Sequence, residues 1–157
     1  MGTRRTPILA LNVEPLDRWL PPDRLPELLA NADIVVLLAS YNSSTREIIG
    51  APELEAMRET AILVNLARGG LVDEEALIRA LAADQIGGAV LDVTATEPLP
   101  AESPLWAMPN VLVTPHISAS TPASYRRAVD ILCVNLPLFL AGALDRMANR
   151  VDREAVR

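Results

Sequence analysis

Four short apolar segments constrain the fold of this chain of 157 residues more than any other feature. They are residues 34–39 (IVVLLA), 61–66 (AILVNL), 88–93 (GAVLDV) and 111–114 (VLVT). Continuous apolar runs of this length are typical of strands that are buried on both faces of a parallel sheet. Helical patterns separate the runs and no hairpin turn joins them, so their order predicts βαβ units in an α/β fold.

The segments around these strands predict four helices, at residues 23–32, 51–58, 73–83 and 121–140. Asp73 is suited to cap the third helix, because two glutamates follow it in the first turn. Pro137 should kink or break the last helix, since proline lacks an N–H and clashes with the preceding turn. Near the N-terminus, four prolines within residues 1–22 prevent a long helix, although residues 8–11 could form a short strand.

The composition excludes several classes of function. All 14 basic residues are arginine, against 20 acidic residues, for a net charge of −6, and aromatic residues make up 3% of the chain. An acidic chain with so few aromatic rings is not expected to bind nucleic acid. Without lysine, the chain has neither a Schiff-base residue nor the lysine of a phosphate-binding P-loop.

Single cysteine and histidine residues narrow the options further. Cys133 cannot form an internal disulfide and is expected in the core, and a zinc site is not expected with His116 as the only histidine. No apolar run reaches the roughly 20 residues of a membrane-spanning helix, and no signal peptide is evident. We therefore expect a cytoplasmic protein with no membrane partner.

Polar side chains follow the predicted strands where each strand ends. A polar loop that includes Ser40 follows the first strand, Arg68 follows the second, Asp92 closes the third with Glu97 one loop later, and His116 follows the fourth. Because ligands bind beyond the carboxyl ends of parallel strands, we expect these residues to share one rim of the sheet.

These residue types suit proton transfer on a small acid. A carboxylate next to a histidine holds its tautomer, and the pair can give or take a proton near neutral pH. Arg68 offers a planar fork for a carboxylate and can polarise a carbonyl, while Gly69 and Gly70 allow a close approach to the backbone. From spacing alone, each residue also fits a structural or solvent-exposed role.

Three motifs in register resemble the D-isomer-specific 2-hydroxyacid dehydrogenase family. They are residues 65–73 (NLARGGLVD), residues 88–100 (GAVLDV through EPLP) and residues 109–116 (PNVLVTPH). The resemblance runs from about residue 32 to the C-terminus and is nearest to the glyoxylate/hydroxypyruvate reductase-like branch. It implies a partial Rossmann-like dinucleotide-binding domain over residues 1–157, with an irregular segment at 1–31 and the family-like part at 32–157.

The resemblance also implies an activity, the NAD(P)-dependent interconversion of a 2-hydroxy acid and a 2-keto acid, with hydride passing between the nicotinamide and the substrate carbon. By this resemblance Arg68 binds the substrate carboxylate and carbonyl, His116 is the general acid/base with Glu97 as its partner, and Asp92 faces the nicotinamide amide. The other implied cofactor-binding residues are Ala39, Ser40, Leu66, Ala67 and Ser118, together with Arg68 and His116 themselves. The full-length form is expected to be a homodimer.

The chain departs from the family pattern in its first part. None of its seven glycines forms the G-x-G-x-x-G turn that holds the pyrophosphate at a helix N-terminus. Residues 1–5 resemble the end of the second Rossmann strand, where Arg4 and Arg5 indicate NADP rather than NAD as the cofactor. The first strand, its glycine turn, its helix and most of the substrate domain are missing from the sequence.

Three hypotheses therefore stay open. In the first, the chain is a member of the resembled oxidoreductase family, although we expect the chain as given to be inactive. Alternatively, it is a truncated, non-catalytic remnant or an interaction module that keeps the motifs without a complete cofactor site. In a third case the true start lies upstream of Met1. In the isolated chain, strand 34–39 should be an exposed sheet edge with residues 35–38 partly uncovered, unless residues 8–11 pair with it.

Overall fold

A computed structural model of the chain describes residues 2–3 and 18–151, which fall into two compact units, Met1–Ile117 and Ser118–Arg157. The described strands all lie in the first unit. Two of them, β1 (Gly2–Thr3) and β2 (Trp19–Leu20), form a short parallel pair. β2 was not predicted from the sequence, because two residues are too few to show a strand pattern.

A four-stranded parallel sheet forms the centre of the first unit. Its strands are β3 (Ile34–Leu37), β4 (Ile62–Asn65), β5 (Gly88–Leu91) and β6 (Val111–Val113), in the order β3-β4-β5-β6. Each pair is parallel, which confirms the predicted parallel sheet flanked by helices. The strands end one or two residues earlier than the apolar runs that predicted them.

Three helices connect or precede these strands, α1 (Leu25–Asn31), α2 (Ala51–Ala56) and α3 (Glu74–Ala82). α3 begins as the sequence predicts, because Asp73 Oδ1 accepts a hydrogen bond from the Ala76 N–H at 3.0 Å. Such a cap contributes about 1 kcal/mol to helix stability. The helix then buries one apolar stripe, formed by Ala76, Leu77, Ala80 and Leu81.

The core lies against one face of the sheet. Along β3, Val35 and Leu37 are buried while Ile34 and Val36 are exposed. Because successive side chains of a strand point to opposite faces, this alternation identifies a covered and an uncovered face. The covered face packs with α1, α2 and α3, and its buried strand residues include Val35, Leu37, Leu63, Ala89 and Leu91.

The opposite face of the sheet is exposed, which corrects one expectation. Ile34 is 60% exposed, Val36 48% and Leu112 56%, so the apolar runs are not buried on both faces as their pattern predicted. The partial uncovering expected within residues 35–38 is present at Val36 and Leu38. Among the described residues, β3 pairs with β4 alone and is the predicted edge strand. The suggested pairing of residues 8–11 lies outside the described residues.

The second unit is built on one helix, α4 (Pro122–Leu140). Thr121 caps it, since its side chain accepts a hydrogen bond from the Ser124 N–H at 3.1 Å. The helix continues through Pro137, so Pro137 does not break it, and the alternative of a kink stays a prediction. Pro137 stands in the last turn, where its missing N–H removes a single helical bond shortly before the helix ends.

No residue of α4 is buried, and Cys133 is exposed. The expectation that Cys133 belongs to the core is therefore wrong. Apart from α4, the described part of this unit contains only a short 3-10 turn at Leu144–Arg146, which is too small to cover the helix. In the described ranges, no helix combines the length and the hydropathy that a membrane crossing requires.

The uncovered face and free edge of β3 predict association in solution, because exposed apolar edges recruit other strands. Size-exclusion chromatography with light scattering should show oligomers or aggregates, and Val36→Thr should shift the chain toward a monomer. Val35→Thr, on the covered face of the same strand, is the matched control. It should leave association unchanged but lower the free energy of unfolding by about 1–3 kcal/mol, because it buries a hydroxyl. A wild-type chain that is a cooperatively melting monomer would contradict this prediction.

Candidate active site

The structure places Arg68, Glu97 and His116 close together beyond the carboxyl ends of β4, β5 and β6. His116 Nδ1 lies 2.8 Å from Glu97 Oε2, and the two side chains are 46% and 39% exposed. Arg68 is near enough for its positive charge to act on the Glu97 carboxyl. The fold thus gathers three residues from three different loops.

Asn65, the last residue of β4, positions the loop that carries Arg68. Its side chain is 1% exposed, with Nδ2 donating to the Arg68 carbonyl at 2.9 Å and Oδ1 accepting from the Ala67 N–H at 3.1 Å. Arg68 itself is exposed, and its Nη1 donates to the Ala67 carbonyl at 2.6 Å. Asn65 is not among the candidate residues predicted from the sequence, although an amide at the end of an apolar strand is a usable signal for a residue that holds a loop.

Gly69 lets the Arg68 loop pack directly on the loop that leads to Glu97. A Cβ at this position would lie 1.9 Å from the Thr94 carbonyl oxygen. At Gly70 a Cβ would lie 2.7 Å from Cε2 of Tyr41, whose ring packs there. The close approach expected at both glycines is confirmed, and it is made by neighbouring loops of the chain itself.

Thr94 holds the Glu97 side chain in place through a backbone hydrogen bond. Its N–H donates to Glu97 Oε1 at 3.3 Å, and its hydroxyl donates to the Thr96 carbonyl at 2.8 Å. Thr94 is 7% exposed, so this turn is held by a buried residue. Thr94 was not singled out in the sequence, because a threonine after a strand is common and its partners depend on the turn.

The surroundings of Glu97 hold the pKa of its carboxyl below the ordinary value of 4.5. The main cause is the hydrogen bond with His116, which favours the ionised form. Burial opposes the shift, whereas the Thr94 N–H bond and the charges of His116 and Arg68 add to it. These contacts therefore favour the ionised form of the Glu97 carboxyl next to His116.

His116 has a left-handed backbone, with φ of +52°. Its N–H donates to the carbonyls of Asp92 at 2.9 Å and Thr114 at 3.0 Å. Asp92 is 2% exposed, and its Oδ1 accepts from Thr114 Oγ1 at 2.6 Å and from the Ile117 N–H at 2.9 Å. The structure thus shows Asp92 bound to the segment that carries His116, a contact that the sequence analysis did not anticipate.

A cavity of about 440 Å³ lies beside Arg68. Three of the predicted cofactor-lining residues, Ala39, Ser40 and Ala67, line it, whereas Leu66 does not. Its size falls in the range of roughly 300–1,000 Å³ that is usual for small-molecule sites. A larger cavity of about 570 Å³ lies beside Gly87 and Asn110, before β5 and β6, and none of the predicted site residues lines it.

Other predicted residues are not placed in this site. Arg4 and Arg5 lie outside the described residues, so the preference for NADP stays a prediction. Ser118 begins the second compact unit, and its cofactor role stays a prediction as well. Within residues 2–3 and 18–151, no three His, Cys, Asp or Glu side chains gather where a metal ion could bind.

The arrangement can bind a small anion and move a proton. Arg68 forms no ion pair within the described ranges, so its guanidinium is available to a carboxylate. A carboxylate only accepts hydrogen bonds, so Glu97 favours a proton on His116 Nδ1. Nε2 is then the ring nitrogen that can exchange a proton with a bound molecule.

Comparison with known proteins shows clear similarity. The family model "D-isomer specific 2-hydroxyacid dehydrogenase, NAD binding domain" matches residues 11–118. A glycerate dehydrogenase from Methylorubrum extorquens is 38% identical over 138 residues, which cover 86% of this chain and 43% of that protein. Glyoxylate/hydroxypyruvate reductase B from Escherichia fergusonii is 41% identical over 122 residues, covering 78% and 38%. The chain spans less than half the length of these relatives.

Solved structures show the same similarity. A D-isomer specific 2-hydroxyacid dehydrogenase from Xanthobacter autotrophicus Py2, in complex with NADPH and MES, aligns with a TM-score of 0.77 and 39% identity over 96% of this chain and 60% of that chain. D-lactate dehydrogenase with NAD+ from Lactobacillus jensenii aligns with a TM-score of 0.73 and 36% identity over 82% of this chain and 42% of that chain. The two structures contain different nicotinamide cofactors.

Gly69→Ala should disrupt the site by displacing the backbone of the loop that carries Arg68. The new Cβ would collide with the Thr94 carbonyl, so the Arg68 and Glu97 loops must separate. Such overpacking typically lowers the free energy of unfolding by about 1–3 kcal/mol. Gly50→Ala is the control, since its Cβ would meet no atom closer than 3.5 Å. Urea denaturation of both variants measures the difference, and equal stabilities would contradict the argument.

The pKa of Glu97 provides a test of its contact with His116. The pKa of Glu97 is lower in the folded chain than its ordinary value of 4.5. The contact therefore stabilises the fold fully at pH values above 4.5, and this stabilisation is lost as the pH falls through the lowered pKa. His116→Ala should return the pKa of Glu97 toward 4.5. NMR titration of isotope-labelled glutamate carboxyls measures this change, with Arg79→Ala as a control on α3. A pKa of Glu97 unchanged by His116→Ala would exclude the contact as its main cause.

Proposed function

We propose that this chain, which belongs to the D-isomer specific 2-hydroxyacid dehydrogenase family, carries the substrate-binding and proton-transfer residues of an NAD(P)-dependent oxidoreductase. The reaction is the interconversion of a 2-hydroxy acid and a 2-keto acid. The observation that carries this proposal is the 2.8 Å contact between His116 and Glu97 beside the Arg68 guanidinium. Glyoxylate and hydroxypyruvate are the first substrates to test, because a similar protein is named a reductase of these acids.

His116 and Glu97 supply the proton transfer. Glu97 bonds Nδ1 of His116, which keeps the ring oriented and leaves Nε2 for the substrate oxygen. In the reducing direction, protonated His116 gives its proton to the carbonyl oxygen of the keto acid. In the oxidising direction, neutral His116 takes the hydroxyl proton. A positioned acid/base of this kind contributes typically about 10²–10⁴-fold to the rate.

Arg68 supplies recognition and polarisation. Its guanidinium offers two parallel N–H donors to a substrate carboxylate, and its charge polarises an adjacent carbonyl. Ser40 and Tyr41 line the same cavity and add hydroxyl groups to its wall. The cavity therefore combines one cation with two hydroxyl-bearing side chains beside Leu38 and two alanines, which suits a short acid.

The residues present fit one part of a nicotinamide dinucleotide. Ala39, Ser40 and Ala67 line the cavity next to Arg68 and would hold the nicotinamide end. When bound, the cofactor supplies or accepts the hydride. The pyrophosphate is a different case, because no G-x-G-x-x-G turn occurs in the sequence. The chain thus fits the nicotinamide end but has no glycine turn for the pyrophosphate.

A second candidate function follows from this incomplete fit. A non-catalytic remnant, or an interaction module, would keep the same motifs without turnover. What supports it is that the sequence as given contains no G-x-G-x-x-G turn to complete the cofactor site. The expected cytoplasmic location, the homodimer of a full-length form and the absence of a nucleic-acid partner stay predictions.

Binding of a 2-keto acid separates the two candidates. Glyoxylate or hydroxypyruvate, titrated into the isotope-labelled chain, should shift the NMR signals of Arg68 and His116 saturably. Arg68→Lys should weaken binding by about 10-fold or more, because a point charge cannot reproduce the paired donors. Arg79→Lys, on the exposed side of α3, is the matched control and should change nothing. Binding that is absent, or that ignores Arg68, would favour the remnant.

Cofactor binding by the chain itself should be weak. Without the glycine turn most contacts to the pyrophosphate are lacking, so calorimetry with NADH or NADPH should detect little or no heat of binding. No reductase activity is expected when the acid and the reduced cofactor are mixed with the chain. Micromolar binding of either cofactor would show that another segment replaces the turn.

A further inference from the structure

Three groups within residues 114–117, one of them the N–H of His116 itself, donate hydrogen bonds to one buried residue, Asp92. The Asp92 carboxylate accepts hydrogen bonds through Oδ1 from Thr114 Oγ1 at 2.6 Å and from the Ile117 N–H at 2.9 Å. Its backbone carbonyl accepts the N–H of His116 at 2.9 Å. Asp92 directly follows β5 and is 2% exposed, so it is a fixed point of the sheet to which residues 114–117 are tied.

The backbone of His116 needs such support. A left-handed conformation is unfavourable for a residue with a Cβ, and His116 has φ of +52°. Strained residues of this kind persist where the surrounding structure over-determines them. The hydrogen bonds to Asp92 before, at and after His116 provide that determination. The resulting turn brings the imidazole to Glu97, with Nδ1 2.8 Å from Oε2.

We propose that Asp92 is a positioning residue that acts through His116. Its buried carboxylate fixes the left-handed backbone at His116, and this fixed turn keeps Nδ1 on Glu97 and Nε2 free for the substrate. The consequence for catalysis rests on the proposed function, whereas the positioning itself is a property of the chain alone. This role differs from the contact to the nicotinamide amide that the resemblance implies.

The imidazole tautomer reports on this positioning without turnover. Because a carboxylate can only accept, the neutral ring must carry its proton on Nδ1 to bond Glu97. His116 is the single histidine of the chain, so proton–nitrogen correlation spectra of the untagged protein show this ring alone. In the wild-type chain we expect the neutral ring to be predominantly the Nδ1–H tautomer.

Three variants test the role of Asp92. Asp92→Ala removes the acceptor, so the Nδ1–H tautomer should lose its majority. Asp92→Asn keeps one acceptor oxygen and should restore the Nδ1–H tautomer at least in part. Asp73→Ala is the matched control, because it removes another aspartate that only caps α3. It should lower the stability of the chain and leave the tautomer of His116 unchanged.

The outcome that overturns the proposal is an Asp92→Ala chain that is less stable but keeps the Nδ1–H tautomer. If Asp92→Ala does not fold, Thr114→Val and Thr114→Ser test the same contact from the donor side. Thr114→Val should reduce the Nδ1–H tautomer and Thr114→Ser should keep it, and equal tautomer populations would again overturn the proposal. Failure of the proposed function would look different, as absent binding of 2-keto acids at Arg68 with the tautomer intact.

Discussion

The contact between two backbones at Gly69 is the constraint on which the rest of the site depends. The loop after β4 packs on Thr94 so closely that any side chain at this position would overlap the carbonyl. This approach holds the Arg68 loop against the turn that leads to Glu97, and Glu97 in turn bonds His116. Three loops that are distant in sequence therefore act as one site because one residue has no Cβ.

The polar groups of this site differ in what they do for the chain. The His116–Glu97 pair is about half exposed, and exposed pairs contribute only about 0–1 kcal/mol to stability. The pair therefore adds little to stability, and its proposed role is proton transfer. Asp92, Asn65 and Thr94 are buried and hydrogen-bonded, and each holds a loop that carries one of the reactive side chains. The buried residues that hold the loops are thus different residues from the exposed His116–Glu97 pair.

The two faces of the sheet also differ, because helices cover one face and the other is exposed. Its covered face packs with three helices, and burial of apolar area there stabilises the unit by roughly 25 cal/mol per Å². Its other face leaves Ile34, Val36 and Leu112 in contact with solvent. The reactive rim nevertheless keeps its geometry, because the loops that form it are anchored in the covered half and in hydrogen bonds between neighbouring loops.

The sequence by itself determined the parallel α/β architecture, since apolar runs and capped helices are local patterns that Asp73 and the four strand segments display directly. It also identified Arg68, Glu97 and His116 as the candidate site residues, because they stand in family-like motifs. Only the tertiary structure decided which side chains of β3 are buried and which are exposed, and that Cys133 is not in the core, since burial depends on which elements pack nearby. It likewise decided that Asp92 bonds Thr114 and Ile117, because hydrogen bonds across more than twenty residues depend on the packing of loops and have no signature in local sequence.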